Sequence, residues 1–517
     1  MVTLLEIIHL QREHIQRLKD EIARLKGQKP RPRIKPSKLE GGSLDEGEKE
    51  VAGQRPGSAK RSKTSALEIH QTVVIRPENL AEGSKFKGYQ DYTVQDIVLR
   101  PHNTLFRLER WQTPEGDFVI GKLPEEVVGE HYGPVLRSYV LYQYYHAHVT
   151  QPLIWEQVWE LGVDISVGQV NRIITEGKDR FHEEKEAILR VGLEISGHIN
   201  VDDTGARHQG KNGYCTHIGN ELFAWFKSTE SKSRMNFLEL LRAGRSEYAI
   251  TTRALDYMSA QKLPKVQLER LAACGKSVFE DQATWKAALE SLDFTDERHI
   301  RIATEGALLG SIVEQGHMNP GLVIVSDDAG QFDILLHALC WVGRTPGQPL
   351  QRAVNKLVGF NDAQIEALEA IRTRIWDFYA DLKAYKKEPC EKERAELEGR
   401  FDELFSTRTC YESLNQALKR IRKNKSGLLL VLDRPDIPLH NNTSERDIRE
   451  YVKKRKISGS TRSDPGRRCR DTFTSLKKTC RKLKVSFFEY LTDRVSGRNA
   501  IPPLAELIRG RARESPS

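Results

Sequence analysis

Apolar residues recur every seven positions at the start of the chain. Ile8, Ile15 and Ile22 share one heptad position, and Leu4, Gln11, Leu18 and Leu25 share another. Isoleucine at a with leucine at d favours a parallel coiled-coil pair, although three heptads are marginal by themselves. Residues 1–26 are therefore expected to join a second copy of the chain as a homodimer or higher oligomer. Residues 27–66 carry spaced prolines among basic residues (Lys29-Pro30-Arg31-Pro32-Arg33), then an acidic, Gly-rich run. That composition cannot build a core and reads as a linker. Residues 67–130 suggest a small β-rich domain, with strands at Thr72–Ile75, Tyr92–Leu99 and Thr104–Arg110 and a turn at Pro114-Glu115-Gly116.

The spacing then turns helical over 131–190. Ile154, Val158 and Leu161 mark one helix, and Gly162 to Ile165 breaks it. Ser166 with Gln169 three residues on reads as a capping box opening a second helix. Such a helix-turn-helix would present Gln169, Asn171 and Arg172 near the start of its second helix, where recognition helices read base edges.

From residue 195 the pattern changes again. His198–Val201 runs into Asp202, and Gly213–Ile218 and Leu222–Phe226 follow in hairpin order around Gly219-Asn220. A helix is expected over Ser233–Leu241. Leu322–Val325 is a further apolar run, ending at Ser326-Asp327-Asp328. Ile365, Leu368, Ile371, Ile375, Phe378 and Leu382 keep helical spacing, and Leu428–Leu432 reads as one more strand. Antiparallel hairpins followed by alternating helix and strand predict an α/β fold. The expected core is ribonuclease-H-like, built from 195–342 and 427–490, with a helical insertion at 343–426 and a C-terminal tail at 491–517.

Composition adds a partner. Of 517 residues, 81 are Lys or Arg and 72 Asp or Glu, a net charge of +9. The excess is concentrated. Arg446 to Lys484 holds fifteen basic and four acidic residues, which suits a polyanion such as double-stranded DNA. Arg446, Arg449, Lys453, Lys454, Arg455, Lys456, Arg462, Arg467 and Arg468 are the candidate phosphate contacts. The seven cysteines include no C-x-x-C pair, so neither a zinc ribbon nor a disulfide framework is indicated. No apolar run reaches the length of a membrane span, no secretory leader is evident, and no P-loop exists, since position 270 is Arg. A cytoplasmic, nucleoid-associated bacterial protein is expected.

Three acids in separate settings carry the candidate chemistry: Asp202 and Asp327 at the ends of strands, and Glu445 in the first turn of a basic helix. Rigidly held carboxylates are what hard divalent ions need. Two Mg²⁺ ions, with Mn²⁺ as a substitute, can clamp both oxygens of an in-line phosphodiester displacement. Successive strand residues face opposite ways, so only one of Asp202 and Asp203, and one of Asp327 and Asp328, should face such ions.

The segments Val201-Asp202-Asp203-Thr204, Ser326-Asp327-Asp328-Ala329-Gly330-Gln331-Phe332 and His440-Asn441-Asn442-Thr443-Ser444-Glu445-Arg446-Asp447-Ile448-Arg449, with Gly459 to Leu476, resemble the large transposase of the insertion-sequence-66 family. The zipper, the Lys/Pro linker and Leu136 to Ile174 match its layout. The resemblance implies a DDE transposase that binds element ends and cuts and joins DNA strands with Mg²⁺. On the family's motif Asp202, Asp327 and Glu445 take the triad positions, and accessory proteins of the same element take part. Three departures stand out. Leu67–Leu123 lacks the cysteines of the family's zinc segment, so no zinc is expected. Asp202-Asp203-Thr204 replaces Asp-Glu-Thr. Gly343–Pro349 replaces a helix, either through a compensated frameshift across 343–354 or as a natural loop variant. A copy decayed to DNA binding alone and a structure-selective nuclease on the same core are the alternatives.

Overall fold

The computed structural model describes residues 68–76, 84–90, 92–124, 128–314, 318–327, 329–334, 336–339, 354 and 357–514. The expected coiled coil, the linker and the departure at 343–349 lie outside them. The chain divides into two units, Met1–Val98 and Leu99–Ser517.

In the first unit the described residues form no regular element and are exposed. The strands expected at Thr72–Ile75 and Tyr92–Leu99 are not formed, nor is the one at Thr104–Arg110. Their β-branched and aromatic residues favour a strand only when a partner and a covered face exist. Here Ile75 and Tyr92 stand 87% and 90% exposed. In the second unit β1 (Arg110–Gln112) and β2 (Phe118–Ile120) pair as an antiparallel hairpin. The predicted turn is present: the Gly116 amide donates to the Thr113 carbonyl at 2.9 Å, and Gly116 takes φ +94°.

Four helices follow: α1 (Pro134–Tyr145), α2 (Gln151–Glu160), α3 (Val167–Thr175) and α4 (Asp179–Ile195). Gly162, at φ +84°, breaks the chain after α2, and Ser166 caps α3 by accepting from the Gln169 amide at 3.2 Å. Gln169 does not complete the reciprocal half of a capping box. Its side-chain oxygen instead accepts from Arg172 Nε at 3.1 Å.

The main sheet contains β3 (His198–Gly205), β4 (Tyr214–Gly219), β5 (Ala224–Thr229), β8 (Val323–Ser326) and β9 (Leu336–Leu339), in the order β5-β4-β3-β8-β9. The first three are antiparallel, and β8 and β9 run parallel to β3. Between β5 and β8 lie α5 (Arg234–Leu241), β6 (Tyr248–Ala249), α6 (Thr252–Ala260), α7 (Lys265–Ala272), β7 (Val278–Phe279), α8 (Gln282–Ser291) and α9 (Glu297–Glu314). Alternation splits the sheet into two faces. Cross-strand neighbours Val201, Ile218 and Trp225 belong to the large core with α4, α5 and α9. Phe226 and Cys215 pack on the other face against Ile448 and Tyr451.

Beyond β9 come α10 (Asp362–Tyr385), α11 (Glu391–Ser406) and α12 (Glu412–Lys423), then two short turns of helix, α13 (Lys425–Leu428) and α14 (Leu430–Asp433). This block buries Leu368, Ile371, Ile375, Phe378 and Leu382 of the predicted stripe in a core shared with Val323 and Val325 of β8, with Ile365 half-buried. The strand expected at Leu428–Leu432 is thus helical. A short apolar run reads alike as a buried strand or a buried helix, and here Leu428, Leu429, Val431 and Leu432 are all buried.

The last helices are α15 (Asn442–Ser458), α16 (Asp464–Lys482), α17 (Phe487–Val495) and α18 (Leu504–Glu514). The region expected to be a tail contains α18, which buries Leu504 and Ile508 and is tied to α4 by Arg509–Glu194 at 2.6 Å. Helix α16 closes the open edge of the sheet. The amides of Ser228, Phe226 and Ala224 donate to Asp471 Oδ2 (2.7 Å), Ser475 Oγ (2.9 Å) and Thr479 Oγ1 (3.2 Å). Four helical residues rise about 6 Å and two strand residues about 6.6 Å, so side chains four apart on α16 meet amides two apart on β5. The polar helix takes the place of a sixth strand.

Candidate active site

Parallel pairing sets His198 beside Val323, Ile199 beside Ile324 and Asn200 beside Val325. Carried on by two residues, that register brings Asp202 level with Asp327, which directly follows β8. Neighbouring strands lie about 4.8 Å apart, so the two acids are neighbours. Asp202 shares its face with its cross-strand partner His217, on the side covered by α15. Asp203 faces the other way, and its carboxylate accepts from Thr216 Oγ1 at 2.5 Å and Gln331 Nε2 at 2.9 Å. Asp328 lies outside the described residues.

Helix α15 is tied down along its length. Asn441 accepts from Asn200 Nδ2 at 2.9 Å and donates to the Val201 carbonyl at 2.9 Å. The Ser444 hydroxyl lies 2.8 Å from His217 Nδ1, and the Tyr451 hydroxyl 2.8 Å from Ser228 Oγ. Arg455 reaches Thr204 Oγ1 at 3.3 Å and bonds the Gly205 carbonyl. Asp447 sits 3.3 Å from His217 Nε2, 2.9 Å from Lys478 Nζ and 2.8 Å from Lys482 Nζ. Burial opposes its charge, but these three partners hold its carboxyl below the usual range. Glu445, one turn past Asn441, is consequently buried beside β3.

Burial, and then the negative charge of Asp327 and more weakly of Glu445, push the Asp202 carboxyl up to about 8, while the Asp203 amide, donating at 2.8 Å, opposes the shift. The mutual repulsion that helps to raise Asp202 is one that a divalent cation would relieve. Their all-oxygen donor set suits a hard ion such as Mg²⁺. Among the described residues, however, no three of His, Cys, Asp and Glu stand close enough to hold a metal as they are. The donors fit the ion by chemistry, and a coordination shell requires their side chains to draw closer.

The predicted DNA contacts divide. On α15, Arg446, Arg449, Lys453 and Lys456 are exposed, as is Arg462 in the turn that follows. Lys454 is not on this surface. It is 3% exposed, donates to the Tyr144 carbonyl at 2.8 Å and lies 3.4 Å from the centroid of the Tyr144 ring. Burial, with Arg470 and Lys477 nearby, lowers it to about 7. Arg455 is spent on the end of β3, Arg467 is paired with Asp464 at 2.9 Å, and the exposed Arg468 stands 3.7 Å from Asp179. Much of the rest of the basic block is internal: Arg470, Lys477 and Lys478 are buried in α16. On α3, Asn171 and Arg172 are exposed and Gln169 half-buried; Asn171 accepts from Gln151 Nε2 at 3.1 Å.

The anchoring set of Asn200, Asn441, Ser444, His217 and Asp447 was not evident from the sequence. Its signal was the adjacency of Asn441 to Glu445, but nothing local marks Asn200 or His217 as their partners. Among the described residues no helix is long and apolar enough to cross a membrane.

The profile of the family described as "Transposase IS66 family" matches residues 344–468. The match includes Glu445 and α15, stops short of Asp202 and Asp327, and opens within the segment that departs from the expected helix. Over 328 residues the chain is 42% identical to the uncharacterized protein y4jO of Sinorhizobium fredii, covering 63% of this chain and all of that protein. The chain belongs to the IS66 family of transposases.

Proposed function

We propose that this chain is a DDE-type transposase that binds the ends of a bacterial insertion sequence and catalyses metal-dependent DNA strand cleavage and strand transfer. The reading rests above all on Asp202, level with Asp327 across β3 and β8, its carboxyl raised by burial and then by the charges of Asp327 and, more weakly, Glu445. The order of three antiparallel strands followed by two parallel ones supports the ribonuclease-H-like core expected from the sequence.

Asp202, Asp327 and Glu445 would hold the Mg²⁺ ions, for which Mn²⁺ could substitute, and the ions would supply charge stabilisation at the phosphorus and a water acidic enough to attack. The chain's own residues do the positioning. The sheet fixes the two aspartates, and the tethers at Asn441, Ser444 and Asp447 fix the glutamate. The exposed Arg446, Arg449, Lys453 and Lys456 lead from Glu445 along α15 and would lay a DNA strand beside it. Gln169, Asn171 and Arg172 would read base edges from α3 as the second helix of a helix-turn-helix, once freed from their present partners. Pairing of chains through residues 1–26 and help from accessory proteins of the element complete the proposal.

The test is Glu445→Gln on duplex DNA carrying an element end, with Mg²⁺ present. We expect binding close to wild type and no nicking or joining. Cleavage at the wild-type rate would remove Glu445 from the site. A wild-type protein that binds but never cleaves would instead be the decayed copy.

A further inference from the structure

The helical insertion is electrically lopsided. From Asp362 to Ser406, spanning α10 and α11, twelve acidic residues outnumber eight basic ones. From Arg408 to Lys425, spanning α12, six basic residues face a single acid, Glu412. Helix α12 divides cleanly. Leu414, Ala417, Leu418 and Ile421 are buried in the core of the insertion, while Gln416, Lys419, Arg420 and Lys423, at i, i+3, i+4 and i+7, share one exposed face. Nearby acid does not neutralise that face. Asp402 is taken by Lys425 at 2.7 Å, with Arg422 4.0 Å away, and Lys419, Arg420 and Lys423 have no carboxylate partner among the described residues. Cations at a helix C-terminus are favoured by its dipole. That preference does not explain Arg408, exposed before the helix begins, or the depletion of acid over eighteen residues.

We propose that this face of α12 is a docking surface for the phosphate backbone of a DNA duplex, additional to α3 and α15. It rests on the reading of the chain as a DNA-acting protein. The insertion packs on the β8 side of the sheet, whereas α15 lies over β3 and β4 and α16 closes the β5 edge. A transposition reaction involves two DNA partners, element end and target, and either carries the phosphates this face fits.

The experiment compares full-length wild type with the triple variant Lys419→Gln, Arg420→Gln, Lys423→Gln. Affinity is measured from about 50 to 200 mM salt for two duplexes of equal length, one with an element end and one of unrelated sequence. Because three phosphate contacts release about 0.9 counterions each, the slope of log affinity against log salt should flatten by about 2.7 on at least one duplex. Flattening on the unrelated duplex alone assigns the face to target DNA, and on both to backbone contact in general. Unchanged slopes on both overturn the inference while leaving the transposase reading intact. A wild type that binds neither duplex sinks both.

Discussion

Asn441 donates from its side-chain amide to the backbone carbonyl of Val201, 2.9 Å away. This bond, and the one that Asn441 accepts from Asn200, join the residue before Asp202 to the residue that opens the Glu445 helix. Sheet and helix are therefore aligned at the level of the acids. Asn441→Ala should strip two partners from buried groups, at about 1–3 kcal/mol of stability. Strand cleavage should fall much further than DNA binding, because only cleavage depends on where Glu445 sits. Parallel loss of both in filter-binding and nicking assays would contradict this alignment role.

Asp202 also makes the apo protein pay for its function. With its carboxyl raised to about 8, the folded chain holds a proton there that the unfolded chain releases near pH 4. The stability that this proton provides is full below pH 4 and is lost as pH rises towards 8. Asp202→Asn removes the charge, so in EDTA at pH 8 the variant should melt higher than wild type, by about 1 °C per kcal/mol gained in a chain of this length. Mg²⁺ should raise the wild-type melting point and leave the variant unchanged. A variant less stable than wild type in EDTA would show that the acids do not repel one another.

Ser475 supplies the acceptor for the Phe226 amide at the sheet edge. Ser475→Ala removes only the hydroxyl and leaves that buried amide unsatisfied, which should destabilise the protein by about 1–3 kcal/mol in urea unfolding. An exposed substitution on the same chain, Lys484→Gln, should change stability by less than about 0.5 kcal/mol.

Lys454 gives a pH signature of opposite sign. Its ammonium is held near 7 in the folded state and near its ordinary value, about 10.4, in the unfolded one. Between these values the unfolded chain binds the extra proton, so stability from this group rises with pH. Lys454→Met should therefore differ most from wild type below pH 7, and the difference should change steadily up to about pH 10. A pH-independent difference would mean that Lys454 titrates normally.

The sequence is most legible where pattern and chemistry coincide. The hairpin leading from Asp202 and the stripe Leu368–Leu382 were marked by turn residues and spacing, and the strand before Asp327 by the β-branched run Val323–Val325. The segment Leu428–Leu432 was ambiguous because a short, continuous apolar run has no period to read. The strands expected at Thr72–Ile75 and Tyr92–Leu99 did not form because they have strand composition without a partner. The basic block misled most. Ser475, Thr479, Lys477 and Lys478 look like a solvated helix face, yet they serve strand amides, buried acids and backbone carbonyls. Those partners lie more than twenty residues away, where no local pattern can signal them.

The central claim is that Asp202, Asp327 and Glu445 close around divalent ions. Its most direct test is an anomalous difference map from crystals of the full chain soaked in Mn²⁺. Manganese density bounded by the carboxylates of Asp202, Asp327 and Glu445 is expected. Density confined to other sites, with these three side chains unmoved, would contradict it.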